Sequence, residues 1–384
     1  MDFTLDEERT AYRDLARDFA VTELAPNAAR WDADAEFPIP TLRKAAELGL
    51  AAITVRQASG GPGLGRFDAA LIFEELAAGC TATAAYLSIH NMVGWMIDRF
   101  GDDDQRARHL PSLITMDRLA SYCLTEPGSG SDAASLATRA VLDGEDYVVD
   151  GAKAFISGAG ASDLYLTMAR TGGPGPGGVS CLAIAKDTAG LSFGAPERKL
   201  GWNSQPTAAV RFEGCRVPVV ERIGAEGEGF RIAMAGLDGG RVNIAACAIG
   251  TARAAFEAAR RYLGERHQFG QPLAAFQALR FRLADMATEL EAARLMVWRA
   301  AAALDSAEQD AGVRCAMAKR FATDVAFKVC DEALQLHGGY GYLRDFPLER
   351  HLRDVRVHRI LEGTNEIMRL IIARRLLDDS SAAS

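Results

Sequence analysis

Apolar residues recur at helical spacing from the N-terminus to about Ile114, marking one buried face per helix. Thr4 and Glu7 form an S/T-x-x-E pair ahead of Tyr12, Leu15 and Phe19, which predicts a capped first helix. Pro26, Pro38 and Pro40 interrupt the pattern. Gly60, Gly61, Pro62, Gly63 and Gly65 predict a loop before periodicity resumes at Asp68, with breaks near Gly79 and Gly101. From about Ala120 the texture changes to short β-branched and aromatic runs bounded by Gly, Pro and Asp. SYCLT, EDYVVDGAKAFIS, DLYLTMA, VSCLAIA, GLSF and TAAVRFEG are the candidate strands. No helical pattern separates them, which predicts an antiparallel sheet. After about Gly224 long helices return. Leu283, Ala287, Leu290, Val297 and Leu304 line one face, and Ala318, Phe321, Ala322, Val325, Val329, Ala333 and Leu336 line another. Dense alanine there predicts closely packed helices, as in a bundle. The fold class is α+β: an N-terminal helical domain (1–119), a middle β-domain (120–224) and a C-terminal helical bundle (225–384). Residues from Asp378 to Ser384 read as a frayed end.

Composition narrows the chemistry. At 384 residues, 49% hydrophobic and 24% charged, the chain is an ordinary globular one. No window of about twenty residues is apolar without charge, so no membrane span is expected. The 43 Lys and Arg fall short of the 51 Asp and Glu, a formal charge of −8, which disfavours nucleic acid as a partner. The seven cysteines are scattered and never paired as C-x-x-C. They read as small buried hydrophobes in a reducing compartment. The six histidines make no H-x-x-x-H set with an acid, so no zinc or di-iron site is expected. GSGSD lacks a third glycine and sits between strands, and G-x-S-x-G is absent, so neither a Rossmann site nor a serine hydrolase is indicated. The acidic N-terminus resembles neither a signal nor a transit peptide. The expected location is therefore a bacterial cytoplasm, or the mitochondrial matrix if the chain is eukaryotic.

Four segments carry candidate chemistry. In SYCLTEPGSGSD (121–132) a strand delivers Tyr122, Leu124 and Thr125 to a glycine loop whose Ser129 and Ser131 could meet an anion. A plain hairpin connection has the same composition. KAFISGAG (153–160) places an aromatic, an aliphatic and a hydroxyl residue together, as sheet core also would. LQLHGGYGY (334–342) ends a helix at His337 with two glycines, where a cap needs one. In ILEGTNEIMR (360–369) Glu362 follows Ile360 and Leu361 and precedes Gly363. Thr364 is an expected N-cap and Glu366 lies in the first turn. An isolated carboxylate before a helix is more often simply solvated.

Taken together, in this order and spacing, the four segments resemble the acyl-CoA dehydrogenase family over nearly the whole chain. RTGGPGPGG and GWNSQPT add to the likeness, which is greatest to the type acting on short branched acyl groups in valine breakdown. The resemblance implies FAD between the β-domain and a four-helix bundle, in a homotetramer built as a dimer of dimers. Tyr122, Leu124, Thr125 and Ser131 would contact the flavin and its phosphates, and Phe155, Ile156 and Ser157 would flank its ring. Arg266, Phe269, Phe276, Gln277, Gln335, Gly338 and Gly339 would come from a neighbouring subunit, and Thr364, Asn365 and Glu366 match further FAD contacts. Ser131, Asp238, Arg241, Gly363 and Arg374 would bind the acyl-CoA. Glu362 matches the base that removes the α-proton while the β-hydride passes to flavin N5, with electron-transfer flavoprotein as the next acceptor. The reaction so implied is isobutyryl-CoA to methacrylyl-CoA. Leu361, where straight-chain relatives have Tyr, is consistent with a branched acyl group. The competing readings are a 2-methylbutyryl- or straight-chain dehydrogenase, an acyl-CoA oxidase, a DNA-binding relative without catalysis, and a scaffold that has lost its cofactor.

Overall fold

The computed structural model describes residues 4–381. Six helices come first: α1 (Glu7–Phe19), α2 (Ala28–Asp34), α3 (Ile39–Glu47), α4 (Arg66–Gly79), α5 (Thr81–Phe100) and α6 (Asp103–Ile114). The N-cap of α1 is Asp6 and not the expected Thr4: the Asp6 carboxylate accepts from the Arg9 N–H at 2.8 Å. Asp is as good a cap as Thr, and the box pattern locates such a start only to within a residue or two.

Eight strands follow: β1 (Ala120–Cys123), β2 (Arg139–Asp143), β3 (Asp146–Ser157), β4 (Leu164–Arg170), β5 (Val179–Ala185), β6 (Leu191–Phe193), β7 (Thr207–Pro218) and β8 (Arg222–Ile223). They form one sheet in the order β6-β7-β3-β2-β4-β5-β8, with β1 also paired to β4. Its pairings are antiparallel except that β1 runs parallel to β4, as does the single β2–β4 pair Arg139–Arg170. The sequence reading had an antiparallel sheet because strand after strand follows without a helix. The parallel pair arises because β1 enters directly from α6 and aligns with β4 three strands later in the chain. β2 and β8 escaped the reading because β2 is largely exposed and β8 has only two residues.

The chain then returns to helices: α7 (Gly229–Glu265), α8 (Gln277–Asp305), α9 (Ala311–Leu336), α10 (Leu348–Arg356) and α11 (Asn365–Ser381). On α8 the inward position is Met286, not Ala287, which is exposed. On α9 Ala318, Ala322, Val325, Val329, Ala333 and Leu336 are buried, with Phe321 packed partly against the same core. The helical backbone of α11 continues through Ser381, past the expected fray at Asp378, and 382–384 lie outside the described residues.

The first and last helical segments share one core. Phe73, Leu76 and Tyr86 pack in the same cluster as Val297, Ala318 and Val329. The sheet keeps its own core around Tyr147, Tyr165, Val210 and Phe212. A third cluster joins α5, α6 and the start of α7 to the sheet face at Leu166, Met168 and Val179. Helix α7 runs through the first and third of these clusters, and its most apolar stretch is 83% buried, so it is a core helix by location. All seven cysteines are free and buried.

Close helix approach depends on missing side chains. A Cβ at Gly250 of α7 would run into the Glu74 carbonyl of α4, whereas one at Gly264 would meet nothing. Gly250→Ala is therefore expected to lower stability by the roughly 1–3 kcal/mol of an overpacked core. Gly264→Ala should be neutral or stabilising, since alanine is the better helix former. Equal denaturation midpoints for the two variants would contradict this packing.

Candidate active site

A cleft of about 730 Å³ opens where the sheet meets the helices. The β1 loop contributes Tyr122, Leu124, Thr125 and Ser131 to its wall. Strand β3 contributes Phe155, Ile156 and Ser157, and the helical side contributes Ile89, Met92, Met234, Leu237 and Arg241. Leu361, Glu362, Gly363 and Arg374 complete the lining. Residues far apart in the sequence thus converge on one surface.

Strand β3 presents Phe155 through a break in its pairing. The β3–β7 register shifts between Lys153 and Ile156, and Phe155 takes φ 58°. That bulge turns the ring out of the sheet, leaving it 68% exposed in the cleft. Beneath it Lys153 is fully buried and donates to the Leu124 carbonyl at 3.0 Å and to Glu126 at 2.8 Å. Glu126 also accepts from the Ala137 and Thr138 N–H groups. This buried pair ties the β1 loop to β3.

Glu362 lies between η-turn residues 357–359 and α11, at φ 56°, with Gly363 next to it at φ 88°. Non-glycine residues seldom adopt this left-handed conformation. Helix α7 makes room for the side chain, because a Cβ at Gly240 would stand 2.5 Å from Glu362 Oε2. That oxygen is buried and has no hydrogen-bond partner among the described residues. Burial, opposed by the nearby Arg241 and Lys319 cations, raises the Glu362 carboxyl to about 7. The Tyr122 hydroxyl is likewise buried without a partner, and burial raises it well above the usual phenol value. Two buried, unpartnered polar groups in the wall of one mostly apolar cleft indicate a ligand that supplies their partners.

A second cleft, of about 540 Å³, lies at the far end of α7 and α9. It is lined by Arg266, Gln335, His337, Gly338 and Gly339 among others. His337 caps α9, and Gly338 alone of the glycine pair takes positive φ. The His337 ring stacks on Tyr262 at 4.3 Å, and the Arg266 guanidinium lies 5.6 Å from the Tyr340 ring centroid.

Several expected contacts fall elsewhere. Phe269 is 92% exposed and meets the Phe276 ring edge to face at 6.1 Å, while Gln277 begins α8; none of the three, expected to serve a neighbouring subunit, lines either cleft of the single chain. Thr364 caps α11 through the Ile367 N–H at 3.3 Å, and Glu366 is exposed in the first turn. Asn365 is buried and bonded to Lys319, Thr323 and Asp324. Asp238 does not line the cleft; its carboxylate accepts from Arg241, which does, at 2.6 Å. Arg241 Nε meanwhile donates to the Glu362 carbonyl at 3.2 Å. The pair therefore braces the Glu362 turn, and Arg241 has less freedom to grip a ligand than its sequence motif suggests.

The sequence reading missed Lys319 and Trp202. Lys319 is fully buried on α9, and Trp202 lines the cleft at φ 56°. A lysine four residues after Cys315 and beside Ala318 and Ala322, on an otherwise apolar face, was the legible sign.

The fold and the buried carboxylate define a three-part protein built around an apolar cleft with a potential proton acceptor. Family models cover the chain in the same order: acyl-CoA dehydrogenase N-terminal domain at 6–117, middle domain at 121–215 and C-terminal domain at 227–377. The chain belongs to the acyl-CoA dehydrogenase family. It is 57% identical to isobutyryl-CoA dehydrogenase, mitochondrial, of Bos taurus, over 98% of this chain and 90% of that one. Its identity to the Dictyostelium discoideum protein of the same name is 55%, over the same shares. Butyryl-CoA dehydrogenase from Megasphaera elsdenii superposes with a TM-score of 0.95 at 36% identity, over 98% of this chain and 100% of that one. A structure described as the electron transferring flavoprotein of Acidaminococcus fermentans, in work on flavin-based electron bifurcation, superposes at 0.96 and 39% identity, over 98% and 100%.

The close approach of Gly240 to the Glu362 carboxylate gives a test. In Gly240→Ala the neighbour that must yield is the mobile end of Glu362, so stability should change by less than about 1 kcal/mol. The displaced carboxylate should reduce acyl-CoA dehydrogenation by about 10²-fold. An active Gly240→Ala enzyme with normal stability would contradict the placement of Glu362.

Proposed function

We propose that this protein removes two hydrogens from the α and β carbons of a short branched acyl-CoA thioester, with isobutyryl-CoA as substrate and methacrylyl-CoA as product. The observation that carries the proposal is the Glu362 carboxylate, stripped of partners at one end of an apolar cleft walled by Tyr122 and Phe155. The names of the two mitochondrial relatives support the choice of acyl group. In this reading 1–119, 120–224 and 225–384 are the three domains.

The first cleft fits a flat, partly polar cofactor such as FAD. It offers an exposed aromatic ring at Phe155, apolar walls at Leu124 and Ile156, and polar groups at Tyr122, Thr125, Ser131 and Ser157. A bound flavin supplies the acceptor for the β-hydride. The protein's own residues deal with the proton. Glu362 takes the α-proton on its carboxylate as the carbon–carbon double bond forms, and the low-dielectric surroundings make that carboxylate a stronger base than one in water. The Glu362 N–H has no acceptor among the described residues and is the donor assigned to the thioester oxygen, where negative charge develops. Ile89, Met92, Met234, Leu237 and Leu361 keep the acyl end dry.

Arg266, Gln335, Gly338 and Gly339 in the second cleft would complete the cofactor site of a neighbouring copy in a homotetramer. The exposed Phe269 beside that cleft is in keeping with such a neighbour. Thr364, Asn365 and Glu366 then support the cofactor through the start of α11. Electron-transfer flavoprotein is the proposed oxidant of the reduced enzyme, a reading that the likeness to the Acidaminococcus protein supports. The enzyme would work in the matrix of a eukaryotic host or the cytoplasm of a bacterial one.

A panel of acyl-CoA thioesters assayed with a dye acceptor tests the substrate. Isobutyryl-CoA should give the highest kcat/KM, with each methylene added or removed changing it by about 10–200-fold. A maximum with a straight C8 thioester would overturn the branched-chain assignment.

Glu362→Gln should retain the visible flavin spectrum and bind acyl-CoA but lose about 10²–10⁴-fold in turnover. Because burial raises the free-enzyme carboxyl to about 7 and it must be ionised to accept a proton, wild-type kcat/KM should fall tenfold per pH unit below that point. Retained turnover in Glu362→Gln, or a flat profile from pH 5 to 8 under chemistry-limited conditions, would remove Glu362 from the base role.

A further inference from the structure

Glu362 and Gly363 occupy the left-handed region in succession. For glycine this costs little, but for glutamate it is strained, and the surroundings must hold it in place. Two cations from two helices grip the two carbonyls of that turn. Arg241 of α7 donates to the Glu362 carbonyl at 3.2 Å, and Lys319 of α9 donates to the Gly363 carbonyl at 2.7 Å.

Lys319 is the less expected of the two. It is completely buried, and no carboxylate is hydrogen-bonded to its ammonium among the described residues. Its second acceptor is Asn365 Oδ1 at 3.1 Å. Asn365 starts α11 and also bonds to Thr323 and Asp324 of α9. One ammonium therefore joins α9, the Glu362 turn and the start of α11. If packing alone were needed, methionine would fill the volume without the penalty of a buried charge.

We infer that Lys319 is a positioning residue for the proton-transfer site: its hydrogen bond to the Gly363 carbonyl aims the Glu362 N–H and carboxylate into the cleft, and its charge stands behind that carboxylate. This rests on the reading of Glu362 as the base. The charged environment is shared by several elements. Around Glu362 stand Arg241 and Asp238 of α7 and Lys319 of α9, with the Tyr122 phenol across the cleft. Around Lys319 stand Glu362, Arg241, Asp324 and Glu366, with the buried His358 imidazole also within its field. Burial holds the ammonium down at about 7 while Glu362 and the other acids pull it upward.

The test uses flavin-loaded protein and three variants. Lys319→Met removes both donor and charge. It should keep the flavin spectrum, lose about 10²-fold in kcat with a smaller change in KM, and move the acidic limb of the kcat profile to higher pH. The sign follows from losing a cation that favours the Glu362 carboxylate. Lys319→Gln retains a neutral donor; it should recover part of kcat while keeping the shifted limb. Lys319→Met with kcat and acidic limb within about twofold of wild type would overturn the inference. If Lys319→Met does not fold, the limb of Lys319→Gln decides: a shift supports the role and an unshifted limb overturns it. Glu362→Gln separates the two readings, because normal turnover in that variant removes the base itself, whatever Lys319 does.

Discussion

Desolvation of one carboxylate is the constraint around which the cleft is built. Glu362 can approach neutrality in its pKa only where water is excluded, and it remains ionisable only because cations lie close by. Both conditions need tight packing of α7 and α9 against a turn that is itself strained. Gly240 leaves the space, Arg241 and Lys319 hold the carbonyls, and Asp238 offsets part of the positive charge. A larger residue at 240 or an unpaired arginine at 241 would disturb the same point from different directions.

The sheet contributes through an irregularity of a similar kind. A regular β3 would turn Phe155 onto one face by simple alternation. The bulge after Lys153 instead exposes the ring to the cleft, while Lys153 and Glu126 secure the loop that carries Thr125 and Ser131. Left-handed backbone at Phe155, Trp202 and Glu362 shapes the cleft walls, while Ala35, Met116, Phe269 and Ala307 adopt it elsewhere in the chain. Each such conformation in the cleft survives because buried neighbours over-determine it.

Much of the architecture was legible because periodicity is a local property. The change from helical spacing to short strands near Ala120, and back after Gly224, marks where the described elements change type. Chain order said nothing of the shared core that joins α4 and α5 to α7, α8 and α9. Nor did it show β1 lying parallel to β4, since strand partners are chosen by long-range packing. At the site, Tyr122, Phe155 and Glu362 were marked by their segments and Arg374 by the family resemblance, and all four do line one cleft. Phe269, Phe276 and Gln277 line neither cleft of a single chain, and Asn365 is spent on internal hydrogen bonds.

By itself the sequence determined most element types, the glycine positions and the net charge, because these depend on residue type and short-range spacing; Glu362 was marked as the candidate base only by the family resemblance. Tertiary structure alone decided that Glu362 Oε2 is buried without a partner, that Gly240 faces it, and that Lys319 reaches the neighbouring carbonyl from 44 residues upstream. The reason is physical: proton affinity depends on the solvent and charges surrounding a group, and those surroundings are assembled from segments that only folding brings together.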